Sequence, residues 1–246
     1  MKSQIVAVIP ARLGSRRFPG KPLAPIAGKP LIEHLYREAS RARLIDRVVV
    51  ATDTTLIAKA VQGFGGEAFM TSRSHRTGSD RTAEMAGKTG GEIFLNIQAD
   101  VLGVKAAVYD RVLKAMLADK RMNFATLARA VESDECLYDP NRVKMIMDPD
   151  DYALWFSRYP LPFLQGVKGS RLKHFKYYYH IGVYFFRKTG LKRFTAWKQT
   201  PMEKAESLEQ LRILENREKI KIFKIKNKLY SIDTPEDLKG VERYFS

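Results

Sequence analysis

The chain has a single cysteine, Cys136, in 246 residues. An internal disulfide is therefore impossible, and a lone thiol of this kind is expected to act as a small buried hydrophobe rather than a nucleophile. Long apolar runs are missing as well, since no stretch approaches the roughly 18 residues that a membrane span needs. The N-terminus enters a short strand directly, without a signal-peptide apolar region and cleavage site, from which we expect a cytoplasmic protein. There are no internal repeats and no low-complexity tail. Two nucleotide signatures are also absent, G-x-x-x-x-G-K-[S/T] and G-x-G-x-x-G. Acidic residues are few, 27 against 43 Lys and Arg, for a net charge of +16. Such a charge attracts polyanions, but no nucleic-acid module accompanies it, so nucleic acid is not an expected partner. Much of the excess lies in residues 166–228, ending in K-I-K-I-F-K-I-K-N-K. That alternation predicts a half-buried strand with a solvated lysine face.

What is present begins at once. Residues 5–9, I-V-A-V-I, form a short apolar run that fits a buried strand. The following loop carries Arg12, Arg16, Arg17 and Lys21, with Gly14 and Gly20 among them. Cations and free backbone N–H groups at the carboxyl end of a first parallel strand are what a triphosphate requires.

Strands and helices then alternate. Helices are expected over 29–41, 54–64, from Ser79 as N-cap to 87, and over 106–118; strands over 46–51, 67–70 and 92–98. This order predicts an α/β fold with a doubly wound, mostly parallel sheet. Such sheets bind ligands beyond the carboxyl ends of their strands, where the cationic loop, Asp53 and Asp100 all fall. Strands over 123–132, 142–148, 153–157 and 178–187 suggest a smaller antiparallel extension. A continuous helix is expected over 203–216, then a strand over 220–226 and a last helix. We therefore expect a nucleotide-binding core of residues 1–122 and 207–246, and an extension of 123–206.

Four blocks stand out. The first is A11-R-L-G-S-R-R-F-P-G-K-P-L23 and the second M70-T-S-R-S-H-R-T-G-S-D-R81. The third, L95-N-I-Q-A-D-V-L-G103, puts Asp100 just past a buried strand, where a carboxylate facing phosphates suits Mg²⁺. The fourth, S231-I-D-T-P-E-D-L238, is a helix start with Thr234 as cap and Pro235 at its first position. Three further blocks are Y152-A-L-W-F-S-R158, H180-I-G-V-Y184 and L208-E-Q-L-R212.

Together, and in this order, these blocks resemble the CMP-Kdo synthetase (3-deoxy-manno-octulosonate cytidylyltransferase) family over nearly the whole chain. The resemblance implies a nucleotidyltransferase-type Rossmann-like fold and a reaction joining CTP to a 3-deoxy-2-ulosonic acid, most simply Kdo, with release of pyrophosphate, for lipopolysaccharide or capsule synthesis. It implies that Ala11, Arg12, Gly14, Ser15 and Lys21 wrap the triphosphate, and that Arg73, His75, Thr77, Gly78, Ser79, Arg81 and Gln98 hold cytosine and ribose. Asp100 and Asp233 would be the Mg²⁺ carboxylates, acting with Arg12 and Lys21 as the catalytic set. Arg158, His180, Tyr184, Glu209 and Gln210 would line the acid-sugar pocket. A homodimer formed through the second half is also implied. The third block departs from the family's Gly-Asp-Glu-Pro as Ala99-Asp100-Val101-Leu102. That leaves open a cytidylyltransferase for another acid sugar, such as an amino-Kdo or a sialic acid, or a nucleotide-binding relative without turnover.

Overall fold

The computed structural model describes residues 4–14, 18–232 and 234–245. Ser15, Arg16, Arg17 and Asp233, named above, lie outside them. The first half runs β1 (Ile5–Ala11), β2 (Pro25–Ile26), β3 (Lys29–Pro30), α1 (Leu31–Ser40), β4 (Arg47–Thr52), α2 (Thr55–Gly63), β5 (Ala68–Met70), α3 (Gly78–Thr89), β6 (Ile93–Ile97), β7 (Val101–Leu102) and α4 (Ala106–Ala118). The second half runs β8 (Phe124–Ala130), α5 (Asp134–Tyr138), β9 (Lys144–Met147), β10 (Ala153–Ser157), β11 (Tyr178–Arg187), α6 (Lys188–Ala196), α7 (Pro201–Glu206), α8 (Leu211–Glu215), β12 (Ile220–Ile225), β13 (Tyr230–Ser231) and α9 (Glu236–Phe245).

Alternation along β1 divides the core. Ile5, Ala7 and Ile9 pack on one face of the sheet with Leu31, Ile32 and Leu35 of α1, Ile57 and Val61 of α2, and Val112 and Leu113 of α4. Val6 and Val8 pack on the other with Met85 of α3, Leu191 and Phe194 of α6, and Leu211 and Ile213 of α8. Successive side chains of a strand point to opposite faces, so an uninterrupted apolar strand must be covered on both. β1 pairs in parallel with β4 and β6, and β4 with β5, as the βα alternation predicts.

The antiparallel strands do not form a sheet of their own. β11 runs antiparallel to β6 and to β8, and β9 pairs with β11 and β10, so all join one nine-stranded sheet. Long β11 is the hinge of this arrangement. Its second half, Val183–Arg187, pairs along the whole of β6, while its first half, from Tyr178, reaches past the carboxyl end of that strand. β12 lies parallel to β8 at an edge, with Ile220, Ile222 and Ile225 buried. Lys221 sits over the Tyr152 ring at 4.7 Å, and Lys224 over Tyr178 at 5.7 Å. No helix among the described residues is long and apolar enough to cross a membrane.

Three expected elements differ. The helix expected from 29 begins at Leu31, because Lys29–Pro30 pairs with Pro25–Ile26 in a two-stranded ladder. Ser79 is not the N-cap of α3. Thr77 is, its hydroxyl accepting the Asp80 N–H at 3.1 Å while the Asp80 carboxylate accepts the Thr77 N–H at 3.0 Å. Ser79 lies one turn inside and is buried. The helix expected over 203–216 is broken. α7 ends at Glu206, Ser207 adopts a left-handed conformation with φ 53°, and α8 starts only at Leu211. Local propensity favours a continuous helix here, but tertiary contacts override it. Arg158 donates from Nε to the Glu206 carbonyl at 2.8 Å, and the Glu206 carboxylate accepts the Arg158 N–H at 3.0 Å. The freed helix end is thereby satisfied and Leu208 drops into the core.

A small strap closes the cleft from the C-terminal side. β13 pairs with β7, Ser231 opposite Val101, and the Ile232 N–H donates to the Asp100 carbonyl at 3.0 Å. Gly103 is required there. Its φ is +101°, and a Cβ at that position would stand 2.4 Å from the Lys228 carbonyl oxygen.

Candidate functional site

Beyond the carboxyl ends of β1 and β6 lies a cleft of about 910 Å³. One wall is Pro10–Arg12, Gly14 and Lys21 following β1. The Gly20 N–H donates to the Leu13 carbonyl at 3.0 Å, which folds this loop back and brings Lys21 beside the strand end. A second wall is the His75–Gly78 segment and the start of α3, whose unpaired N–H groups and dipole favour an anion. Gln98–Val101 forms the back of the cleft, and the 141–143 turn, Arg158, the 179–184 stretch of β11 and Ser207–Gln210 complete the far end.

Of the residues singled out from sequence, Ala11, Arg12, Gly14, Lys21, His75, Thr77, Gly78, Arg81, Gln98, Asp100, Arg158, His180, Tyr184, Glu209 and Gln210 line this one cleft. Two do not. Arg73 is exposed and outside the lining, and Ser79 lies beneath it. Arg73 was expected because it stands in a cationic block, but the turn carries Arg76 to the cleft instead.

The arginines fall into two groups. Arg81 is buried and committed, donating to Asp53 Oδ2 at 2.6 Å and to Thr71 Oγ1 at 2.6 Å. It ties α3 to the ends of β4 and β5. Arg158 donates from Nε to the Glu206 carbonyl, from Nη1 to the Pro140 carbonyl at 2.9 Å and from Nη2 to the Ser207 carbonyl at 3.4 Å. Arg12 and Arg76, by contrast, have guanidinium groups without a hydrogen bond or ion pair among the described residues.

The floor of the cleft is polar and largely uncharged. The Tyr184 hydroxyl donates to Gln210 Oε1 at 3.0 Å. The Thr126 hydroxyl donates to the Val183 carbonyl at 2.7 Å, so its contact with His180 Nε2 at 2.8 Å must be one in which the imidazole donates. Burial lowers His180 to about 3, which keeps it neutral. Ser79 donates to Glu209 Oε1 at 2.9 Å and accepts from Asn96 Nδ2 at 3.1 Å. Three buried polar atoms around this network have no partner among the described residues: Asn96 Oδ1, Glu209 Oε2 and Gln210 Nε2. Buried polar atoms are ordinarily paired, and unpaired ones clustered beneath a cleft mark where a hydroxylated ligand or ordered water would sit.

Burial pushes the Glu209 carboxyl up to about 7, against the lowering effect of the Ser79 hydrogen bond and nearby Arg212. The value stands above the ordinary 4.5, so between these pH values the folded state holds more protons than the unfolded chain, and stability falls as pH rises. A Glu209→Gln variant should gain stability over the parent from pH 4.5 to 7, by up to about 3 kcal/mol, and no more above that window. Urea unfolding midpoints across the range measure this, and a constant difference at all pH values would contradict it.

Gly182 was not singled out from sequence. A Cβ there would stand 2.5 Å from Gln98 Oε1, and its carbonyl accepts the Gln98 N–H at 3.2 Å. β11 shifts register against β8 between Ile181 and Tyr184, and this bulge aims the surrounding side chains at the cleft. Asp100 and Glu209 are the two carboxylates lining the cleft among the described residues. Mg²⁺ takes one or two carboxylates and completes its shell with phosphate oxygens and water, so the donor set around Asp100 fits it. The half-buried Cys136 is not among the lining residues, and burial raises its thiol.

The family profile described as cytidylyltransferase matches residues 6–220. The 3-deoxy-manno-octulosonate cytidylyltransferase of Geobacter sulfurreducens is 43% identical over 244 residues, covering 96% of this chain and 97% of that protein. That of Trichlorobacter lovleyi is 42% identical over 253 residues, covering 98% of each. The solved structure of CMP:2-keto-3-deoxy-manno-octonic acid synthetase complexed with CTP superimposes with a TM-score of 0.91 at 36% identity, over 99% of this chain and 98% of that one. A cytidylyltransferase from Leptospira borgpetersenii shares the fold at a TM-score of 0.66 and 16% identity, over 99% and 88% of the two chains. With the profile spanning most of its length and these relatives matching from end to end, the chain belongs to the 3-deoxy-manno-octulosonate cytidylyltransferase, or CMP-Kdo synthetase, family.

Proposed function

We propose that this protein transfers the cytidylyl group of CTP to the anomeric hydroxyl of Kdo, giving CMP-Kdo and pyrophosphate. The observation that carries the reading is the division of a single cleft. Arg12, Arg76, Lys21 and the start of α3 make one end cationic, Asp100 stands beside it, and the other end offers the neutral hydrogen-bonding groups of His180, Tyr184 and Gln210 with Arg142 and Arg158 in its wall. A triphosphate and a polyhydroxylated sugar need opposite surroundings of this kind, brought within reach of one another.

The anomeric hydroxyl attacks the α-phosphorus in line and gives up its proton to water, the bond from that phosphorus to the bridging oxygen breaks, and pyrophosphate departs. Such a reaction depends on positioning and charge neutralisation more than on covalent help. Arg12 and Lys21 steady the β- and γ-phosphates and the departing pyrophosphate. Thr77, Gly78 and Gln98 face the nucleoside. Tyr184, Gln210, Glu209 and neutral His180 orient the sugar hydroxyls. Asp100, with Asp233 one residue beyond Ile232, would hold Mg²⁺, which neutralises charge at the α-phosphate when bound. Arg81 acts behind the nucleotide wall, through Asp53.

Pyrophosphate release from CTP, Mg²⁺ and Kdo tests the reading. Steady release that requires both the nucleotide and the sugar is expected. No release with Kdo, but release with an amino-Kdo or a sialic acid, would transfer the reading to that sugar. CTP binding with no release from any acid sugar would make the chain a non-catalytic relative.

A further inference from the structure

The few cations of the cleft do not account for a net charge of +16. A second concentration of positive charge lies at the opposite end of the molecule. The cleft opens at the carboxyl ends of β1 and β6, and several segments gather at their amino ends. β8 and β12 start there side by side, Phe124 opposite Ile220. β11 finishes there, with Phe186 opposite Phe124 and Arg187 opposite Ile93. Main-chain bonds hold the junction: the Arg187 N–H donates to the Asn123 carbonyl at 2.9 Å, and the Lys188 N–H to the Glu92 carbonyl at 2.8 Å. The Arg187 guanidinium donates to the Asp119 carbonyl at 3.3 Å, which fixes the end of α4. The Arg193–Glu218 ion pair, at 2.7 Å, ties α6 to the turn before β12.

Five exposed cations stand on these segments: Lys114 and Lys120 toward and just beyond the end of α4, Lys188 and Lys192 in the first turns of α6, and Arg217 before β12. None of their side chains makes an ion pair or a hydrogen bond among the described residues. The acids beside them are mostly taken, Asp119 by Arg121 at 3.2 Å and Glu218 by Arg193, which leaves Glu92 exposed. Lys188 and Lys192 lie one helical turn apart, a spacing at which like charges repel, and an anionic partner would relieve that repulsion. Leu117, in the last turn of α4 between Lys114 and Lys120 in sequence, is 37% exposed.

Such a surface fits an anionic bilayer better than a nucleic acid. Four of the five cations are lysines, point charges on long apolar stems, which suit headgroups of no fixed geometry rather than the planar fork that reads a base edge. The exposed aromatic side chains Tyr138, Tyr159, Phe163 and Phe175 lie on other segments, so no base-stacking platform accompanies the charge. The apolar group that does accompany it is aliphatic, and a leucine beside lysines enters the interfacial layer of a membrane readily. Because the cleft opens at the other end, a flat partner covering the amino ends leaves nucleotide and sugar free to enter. We propose that this pole docks the protein on an anionic lipid surface, as a peripheral and salt-sensitive contact. The contact goes beyond the catalytic reading and does not depend on it.

The test is co-sedimentation of the full chain with vesicles of phosphatidylethanolamine and phosphatidylglycerol in equal parts, against vesicles of phosphatidylcholine alone. Binding to the first and not to the second is expected. It should be lost as salt rises from about 0.1 M to about 1 M, where the screening length falls from about 10 Å to about 3 Å. Lys120→Gln, Lys188→Gln and Lys192→Gln combined should weaken binding by about 100-fold, roughly fivefold per charge. The thermal midpoint and pyrophosphate release should stay as in the parent. Lys59, Lys168 and Lys173 are exposed lysines on other segments. Lys59→Gln, Lys168→Gln and Lys173→Gln combined should weaken binding by less than about threefold, because charges farther than a screening length from the bilayer contribute little. An equal loss in the two triple variants overturns the proposal, since net charge and not this pole would then carry the attraction. Failure to bind the anionic vesicles overturns it too, as does release from them by CTP but not by NaCl of equal ionic strength, which would put the headgroups in the cleft. Tighter binding to a duplex or single-stranded oligonucleotide than to the vesicles, lost in the Lys120, Lys188 and Lys192 variant, would assign the surface to nucleic acid instead.

Discussion

Replacing Asp100 by asparagine is expected to lower kcat/KM for pyrophosphate release by on the order of 10³-fold, about 4 kcal/mol. The thermal midpoint should stay within about 2 °C, because the substitution keeps the shape of the side chain. Asp100 follows β6 at the end of a buried strand, and its carbonyl accepts the Ile232 N–H. What is lost is a hard anionic oxygen at the point where the triphosphate and sugar meet. Raising the Mg²⁺ concentration should recover part of the loss if the carboxylate serves as a metal ligand. Full activity in Asp100→Asn would remove this residue from the chemistry and, with it, the reason for placing Mg²⁺ there. The same experiment bears on the departure at Val101 and Leu102. In the structure these two residues form β7 against β13, with Leu102 buried, so they serve the strap beside Asp100.

The second large effect is on stability. Glu203 and Arg212 form a buried ion pair, with side chains 4% and 6% exposed. Arg212 donates from Nε to Glu203 Oε2 at 2.7 Å and from Nη2 to Oε1, while its guanidinium lies over the Phe194 ring at 4.5 Å. Glu203 also accepts the Thr200 N–H at 3.2 Å, closing the capping box of α7. Glu203→Ala should cost about 3–5 kcal/mol, because it leaves a guanidinium buried without its counter-charge. Thermal denaturation should show a fall of roughly 6–20 °C for a chain of this size. Replacing both partners by methionine should recover much of the loss, since the penalty comes from the orphaned charge and not from the absence of the pair. A single variant that melts with the parent would show the pair to be dispensable. The pair also staples α7 to α8 across the Ser207–Gln210 turn. A weakened staple is therefore expected to raise KM for the sugar, through displacement of Glu209 and Gln210.

That turn shows where local reading ended. E-K-A-E-S-L-E-Q-L-R-I-L-E carries strong helix formers with one serine, and nothing within the segment demands a break. The break is imposed from elsewhere, by Arg158, which lies 48 residues from Glu206, and by the burial of Leu208. Helix α6 drew no expectation because Thr189 and Gly190 dilute its propensity, while α4 fell over 106–118 as its apolar spacing indicated. The Ser79 expectation failed for a similar reason. Both Thr77 and Ser79 are good caps in isolation, and the reciprocal bond with Asp80 decided for Thr77. Ser79 was then released to join Asn96 and Glu209, a network spanning 130 residues of sequence that no local pattern encodes.

The sequence by itself determined the alternation that builds a parallel sheet, the cationic loop at its first strand end, the aspartate after the buried strand over 92–98, and the order of motifs that marks the family. These are local facts, carried by period, by spacing and by residue type at neighbouring positions. Only the tertiary structure decided which of the many arginines is available to an anion. Arg81 is spent on Asp53, and Arg158 donates to the carbonyls of a broken helix and a turn, whereas the guanidinium groups of Arg12 and Arg76 line the cleft without a hydrogen bond or ion pair among the described residues. A guanidinium carries the same charge in every context, and its role is set by what the fold places within about 3 Å of its nitrogens. Those partners lie tens of residues away in the chain, so only folding can bring them together.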